Sequence, residues 1–353
     1  MSESTPRPPR RPRYAGKNPR RFTEKYKEHQ PGRYVEEVGK IIASGKTPAG
    51  MHRPILVQEI LEVLAPKPGD VAVDGTLGYG GHATELLKAI LPGGMLIALD
   101  ADPIELPRTV QRMREAGFGE DVLKAHRSNF AGLRQVLAAE GVTGADVLLA
   151  DLGLSSMQID NPARGFTFKE EGPLDLRINP QRGQPAWEFL SRLTEPQLRD
   201  LLIENADEPH AARLAPAIAT AHARRPLRTT TDLARTIREA LGVTTRSKVT
   251  EEVTTAIRRV FQALRIAVND EFGALDTFLT HLPACLKPGG RAAILTFHSG
   301  EDRRVKKAFQ AGARAGTYAR IAGEVVRPTP EEQRANPRST AAKLRWAVRA
   351  EGG

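Results

Sequence analysis

The stretch Val71-Ala72-Val73-Asp74-Gly75-Thr76-Leu77-Gly78-Tyr79-Gly80-Gly81-His82 constrains the fold more than any other part of this chain. It reads as a short buried strand ending in an acid, a glycine-rich turn and the start of a helix. A helix later, Met95-Leu96-Ile97-Ala98-Leu99-Asp100 repeats the pattern of an apolar strand with a terminal acid. Strands at 122–126 and 146–151 follow, with helical patterns at 83–91, 103–116 and 133–140 between them. Such alternation predicts βαβ units, hence a mostly parallel sheet. Ligands of such sheets sit at the carboxyl ends of the strands, where Asp74, Asp100, Ser128-Asn129-Phe130 and Asp151 all fall.

The glycine spacing alone leaves a dinucleotide site open, because Ala83 stands where a looser form of the G-x-G-x-x-G pattern allows it. Asp74 argues otherwise. An acid just ahead of the turn opposes a phosphate and favours a cationic group. This points to S-adenosylmethionine, with its sulfonium and ammonium charges, with Asp74 serving the turn and the methionine end. Asp100 suits a ribose diol.

The fourth strand runs into Asp151-Leu152-Gly153-Leu154-Ser155-Ser156-Met157-Gln158. The exocyclic amine of a nucleobase is a poor nucleophile because its lone pair is delocalised into the ring. Acceptors that hold its N–H groups and align it with a methyl donor supply much of the catalysis. Asp151, Ser155, Ser156 and Gln158 are the candidates, with Asp151 as a turn or helix cap the alternative. The single cysteine, Cys285, lies in a helical pattern away from these strand ends. It reads as a buried structural thiol, which disfavours cysteine-dependent methylation of a ring carbon and leaves transfer to nitrogen or oxygen. His52, His82 and His298 have no metal-ligand spacing, so no metal is expected. His82, opening the helix after the turn, is read as a cofactor contact. For His298 a site role and a structural role both stay open.

The remaining chain divides unevenly. Residues 1–40 are expected to be a disordered basic tail: the first 33 hold ten Lys/Arg, three Glu and six Pro. Such a tail is either an arm for nucleic acid or a solubilising segment. Residues 41–159 and 269–353 form the sheet domain, with a helix at 272–286, a strand at 291–297, a helix at 301–310 and a last strand at Lys343–Arg349. Residues 160–268 form an inserted helical domain. Its second half, from Arg213 to Arg265, holds eleven Lys/Arg against four acids, whereas the segment from Asp160 to Ala212 holds six against ten. The overall charge of +10 suits a polyanionic partner. One cysteine, no apolar run of membrane-spanning length and no secretory pattern suit the cytoplasm.

In this order the motifs resemble the bacterial 16S rRNA (cytosine-N4) methyltransferases. The resemblance rests on His52-Arg53-Pro54-Ile55-Leu56, the segment from Asp74 to His82, Asp151-Leu152-Gly153-Leu154-Ser155-Ser156, Arg164-Gly165-Phe166-Thr167-Phe168, Gly172-Pro173-Leu174-Asp175-Leu176-Arg177, Phe261-Gln262-Ala263-Leu264-Arg265-Ile266 and Asn336-Pro337-Arg338. It implies a class I methyltransferase (Rossmann-like) α/β fold with a helical substrate-recognition insert. It also implies S-adenosylmethionine as donor and, as substrate, a cytosine in the decoding region of the small ribosomal subunit, methylated on N4. The cofactor contacts it carries over are Gly80, Gly81, His82, Asp100, Phe130, Asp151 and Gln158. This chain departs from the pattern at Leu154, Met157, Glu171, Thr254-Thr255-Ala256-Ile257-Arg258-Arg259 and Gly300, the last replacing a leucine. A non-catalytic RNA-binding or ribosome-assembly protein and a nicotinamide-dependent oxidoreductase are the competing readings.

Overall fold

The computed structural model describes residues 54–243 and 249–352. The basic tail at 1–40 and His52 lie outside the described residues.

A short helix, α1 (Val57–Leu64), precedes the alternation that the apolar runs predict. The elements are β1 (Val71–Asp74), α2 (Gly81–Ile90), β2 (Met95–Asp100), α3 (Glu105–Glu115), β3 (Leu123–Arg127), α4 (Leu133–Ala139) and β4 (Ala145–Asp151). After β4 come a one-turn helix α5 (Ser156–Asp160) and the helices α6 (Ala186–Leu190), α7 (Glu195–Ala206), α8 (Ala211–Arg224), α9 (Thr230–Ala240) and α10 (Glu251–Asn269). Helix α11 (Glu271–Cys285) leads back to the sheet through β5 (Leu286–Thr296). The chain ends with α12 (Ser299–Arg314), β6 (Tyr318–Ile321), α13 (Pro330–Ala335) and β7 (Lys343–Arg349).

The seven strands lie in the order β3-β2-β1-β4-β5-β7-β6. The first five are parallel, and β7 runs antiparallel between β5 and β6. This is the class I methyltransferase, Rossmann-like α/β fold. The strand order reverses at β1, so the crevice beyond the ends of β1, β2 and β4 is the topological switch point where such sheets take ligands. The central strands are buried on both faces, which is why they read as continuous apolar runs: Ala72, Val73, Leu96 to Leu99 and Val147 to Ala150 are fully enclosed.

Two differences from the sequence reading have local causes. The strand expected at 291–297 begins earlier, at Leu286, because the pairing with β4 jumps from Ala145↔Leu286 to Val147↔Arg291. The segment Lys287-Pro288-Gly289-Gly290, which reads as a turn, bulges out of the strand there, with Gly289 at φ 71°. No sequence pattern predicts strand β6. It is a four-residue edge strand with two exposed positions, too short to leave an apolar pattern.

The helices after β4 build a core of their own from residues between Phe166 and Leu264, including Leu176, Leu202, Leu214, Ile218, Leu233, Ile237, Ile257 and Val260. Irregular backbone is tied into that core by Asn269. Its side-chain oxygen accepts from the Ile178 amide and its nitrogen donates to the Leu176 carbonyl, both at 2.7 Å. Helix α11 belongs elsewhere: Leu275, Phe278, Leu282 and Cys285 pack with the sheet.

Candidate active site

Register brings three acids together. Asp74 ends β1, paired with Ala98 of β2 and Leu149 of β4; Asp100 and Asp151 each lie two residues further along those strands. All three carboxyls sit in protein surroundings that disfavour charge. Burial pushes Asp74 up to about 6, opposed by the Thr76 amide and reinforced by Asp151 and Asp100. Burial likewise raises Asp100 to about 6. Asp151 rises to about 7, first through burial and then through the negative charge of Glu301. Its side chain still keeps 30% of its surface exposed, so it faces an opening.

The turn between β1 and α2 is held by these acids. The Thr76 amide donates to Asp74 Oδ1 at 3.0 Å, and the Thr76 hydroxyl accepts the Asp151 amide at 2.6 Å. Asp100 takes the Gly78 amide on one oxygen and the Asp102 amide on the other, both at 2.8 Å. The glycines answer to packing as well as to ligand approach. Gly80 adopts φ 84° as the N-cap of α2, a conformation that glycine tolerates without strain. A Cβ on Gly81 would meet Pro54 at 2.5 Å, so the second glycine makes room for the segment entering α1. Phe130 stands beside the turn, with its Cβ 3.5 Å from where a Gly75 side chain would begin, and its ring is edge-on to Phe278.

His82 is buried on the first turn of α2. Its Nε2 lies 2.9 Å from the Ile55 carbonyl and its Nδ1 lies 3.4 Å from Asp151 Oδ2. Burial lowers its pKa, while the Ile55 carbonyl and Asp74 oppose that shift.

The loop after β4 is ordered by a capping box. Ser155 caps α5 by accepting the Gln158 amide, and Gln158 Oε1 accepts the Ser155 amide at 2.9 Å. Gln158 Nε2 donates to Asp102 at 2.7 Å. The Gln158 side chain therefore braces α5 against the start of α3, and the structure does not aim it at Asp151. Ser155 likewise spends its hydroxyl on the cap, while Ser156 begins the helix.

Asp102 and Arg164 are the site-bracing residues that sequence reasoning missed in this role. Asp102 is fully buried. It accepts Arg164 Nη1 at 2.7 Å, and its other oxygen caps the Ile104 amide at 2.8 Å. Arg164 also donates to the Ile178 carbonyl at 2.7 Å. The local signal was an Asp at the head of a helix; its partners lie about sixty residues away and left no trace nearby.

His298 follows the end of β5, with Nε2 3.2 Å from Glu301 Oε1 and its ring tilted against Phe272. Glu301, buried, is held below the usual carboxylate range despite its burial by His298, the Phe297 amide and Arg265. Glu271 lies beside this pair, but Arg265 grips both its oxygens at 2.7 and 2.8 Å. The cluster is thus an ion-pair network next to Asp151. The glycine at 300 has a structural reason: a Cβ there would meet the Phe272 ring at 2.6 Å. Cys285 is buried among sheet-packing residues, and burial pushes its thiol up to about 11, which leaves it inert as a nucleophile.

The arrangement fits a cationic nucleoside ligand. Three acids raised by burial and by neighbouring carboxylates gain from a positive charge among them and would repel a pyrophosphate. Separately, the helices following β4 carry a groove of about 520 Å³ between α8 and α9, lined by Arg213, Thr220, Arg224, Thr236 and Glu239 and by none of the strand-end acids.

Comparison with known proteins agrees with this geometry. Residues 49–350 match the model of the MraW methylase family. The chain is 50% identical over 342 residues to a ribosomal RNA small subunit methyltransferase H 2 of Alkaliphilus metalliredigens, covering 97% of each chain. It is 47% identical to a ribosomal RNA small subunit methyltransferase H 1 of Lachnoclostridium phytofermentans, covering 97% of this chain and 93% of the relative. Coverage this high reaches into the basic segment before residue 50, so that segment has a counterpart in these two relatives. Among solved structures, an rRNA-methylase of Clostridium thermocellum aligns with 84% of this chain and 98% of its own at a TM-score of 0.40 and 11% identity. The matched family and the two high-identity relatives show that this chain belongs to the MraW methylase family.

Proposed function

We propose that the protein transfers a methyl group from S-adenosylmethionine to the exocyclic N4 amine of a cytosine in the decoding region of 16S rRNA in the small ribosomal subunit. The observation that carries this reading is the convergence of Asp74, Asp100 and Asp151 at the switch point of the sheet, with Asp151 at the opening. Asp74 and the turn through Gly80, Gly81 and His82 would hold the methionine end, Asp100 the ribose and Phe130 the adenine face. Bound there, S-adenosylmethionine supplies a methyl group on a positively charged sulfur, which keeps the electron pair and becomes a neutral thioether when nitrogen takes the carbon.

Asp151 accepts an N–H of the cytosine amine, turning the nitrogen lone pair toward the donor, and Ser155 and Ser156 shape the loop around it. The proton lost by the amine goes to Asp151 and then to solvent. The base must leave its stack to reach this depth. The segment 160–268 acts as the substrate-recognition insert, its Arg213–Arg224 groove following the RNA backbone, and the basic tail adds RNA affinity. A substrate on the ribosome puts the protein in the cytoplasm. Among the described residues no helix is long and apolar enough to cross a membrane.

Labelled methyl transfer to small-subunit RNA, followed by mass-spectrometric mapping of the product, tests the reading. Incorporation at a cytosine N4 is expected. A ring-carbon or ribose product would overturn the amine chemistry, and no transfer at all would favour an assembly role. Calorimetry with S-adenosylhomocysteine and NAD separates the oxidoreductase reading: binding of NAD alone ends the methyltransferase hypothesis.

A further inference from the structure

The two ring nitrogens of His82 have different partners. The Ile55 carbonyl can only accept, so Nε2 carries a hydrogen across the 2.9 Å contact. In the neutral ring this leaves Nδ1 as a bare lone pair, directed at Asp151 Oδ2 from 3.4 Å. A lone pair facing a carboxylate oxygen is repulsive unless a proton lies between them. The pair therefore holds one proton in common, and its titration belongs to both residues.

We infer that His82 is a positioning residue for the methyl acceptor: it shares a proton with Asp151 Oδ2, fixes that oxygen, and leaves Oδ1 to accept the N–H of the substrate amine. This rests on the reading of Asp151 as the amine's hydrogen-bond acceptor. Without His82, a carboxyl whose surroundings raise it to about 7 would carry the proton itself for half of its time near neutrality. It would then offer the amine a donor where an acceptor is needed.

Both partners are held for this purpose. The Asp151 amide is fixed by Thr76. Ile55 is followed by Leu56, whose amide donates to Glu332 of α13 at 2.9 Å. The charged groups around the pair are Asp74 of β1, Glu85 of α2 and Glu332 of α13, which favour a protonated His82, and Glu301 of α12, which raises Asp151. Asp100 of β2 and Arg265 of α10 act one step removed, through Asp74 and Glu301.

The test compares His82→Gln with the unaltered protein in single-turnover methyl transfer from pH 5 to 9, alongside S-adenosylhomocysteine binding. Glutamine keeps an N–H for Ile55 but has nothing at the Nδ1 position. Expected are binding within a few-fold of wild type, a rate at pH 7 lower by roughly tenfold to a hundredfold, and an acidic limb moved upward by about one pH unit. An acidic limb that stays in place overturns the inference, since a purely structural histidine would leave it unmoved. If His82→Gln does not fold, 15N spectra of labelled histidine in the wild type decide. A shared proton predicts an Nδ1 signal that changes in Asp151→Asn, whereas an Nδ1 signal indifferent to that substitution overturns the proposal. Full transfer by Asp151→Asn would instead remove the amine-acceptor reading itself. Loss of transfer in Asp151→Asn with an unmoved limb in His82→Gln would remove only the role of His82.

Discussion

The end of the parallel sheet and the helices that follow β4 solve opposite electrostatic problems. At the sheet end, three carboxyls are crowded into poorly solvated surroundings and raised by burial and by neighbouring acids. On the helices, charge is spread over exposed surface, as in the Arg235–Asp232 and Arg192–Glu188 pairs, whose arginines are more than half exposed. The first arrangement concentrates function in single atoms and is sensitive to each. The second distributes binding over many groups, each worth little in high dielectric. One region is built to do chemistry and the other to hold a large anion.

That contrast breaks most readily at Asp151. Replacing it with alanine should lower single-turnover methyl transfer by about 10²–10³-fold while S-adenosylhomocysteine binding changes only a few-fold. Equal losses in rate and in affinity would mean that Asp151 serves the donor alone.

The next largest effect is on stability. Arg164→Met leaves Asp102 buried beside Gln158 without its cationic partner, which should cost roughly 3–5 kcal/mol of unfolding free energy. Urea titration measures it, and a change under about 1 kcal/mol would show that the buried pair is not needed to hold α3 and α5 together.

A pH dependence follows from the raised acids. A carboxyl with a folded pKa above its unfolded value binds more protons in the native state between the two. Its contribution to stability is therefore lost as pH rises through that window and is flat above it. For Asp74, Asp100 and Asp151 the window runs from the ordinary value of 3.8 up to about 6 to 7. A cationic ligand relieves the resulting repulsion. Affinity for S-adenosylmethionine should thus tighten several-fold between pH 5 and 8, and the thermal shift it produces should grow. A shift that shrinks with pH would contradict the placement of positive charge among these acids.

The smallest effects belong to the arginine-bearing surface. Arg213→Ala with Arg224→Ala should leave S-adenosylhomocysteine binding unchanged and reduce the salt slope of RNA binding by about 0.7 for each phosphate no longer neutralised. Deleting residues 1–33 should also flatten that slope. An unchanged slope in either case assigns RNA binding to another surface.

The legibility of the two regions differs for the same physical reason. Strands β1, β2 and β7 match their sequence boundaries residue for residue, because strands buried on both faces must be apolar throughout and must stop at a polar residue. Asp74, Asp100 and Asp151 are visible as those stops. Strand β6 is not visible, being an edge that depends on β7 and on packing such as that of Tyr318 against Phe309. Spacing along the chain from Asp151 places Gln158 toward the substrate, because distance in sequence is all that a single chain displays. Its capping box and its bond to Asp102 depend on the fold.

By itself the sequence determined the alternation of elements, the acids that close the central strands and the positions where a turn demands glycine, since these follow from hydrophobic periodicity and backbone sterics over a few residues. Only the tertiary structure decided which face each acid meets. Asp151 finds His82 and Glu301, Asp102 finds Arg164, and Gly81 finds Pro54, through meetings between segments separated by up to about 150 residues. Burial and proton sharing arise from those meetings, and no local pattern encodes them.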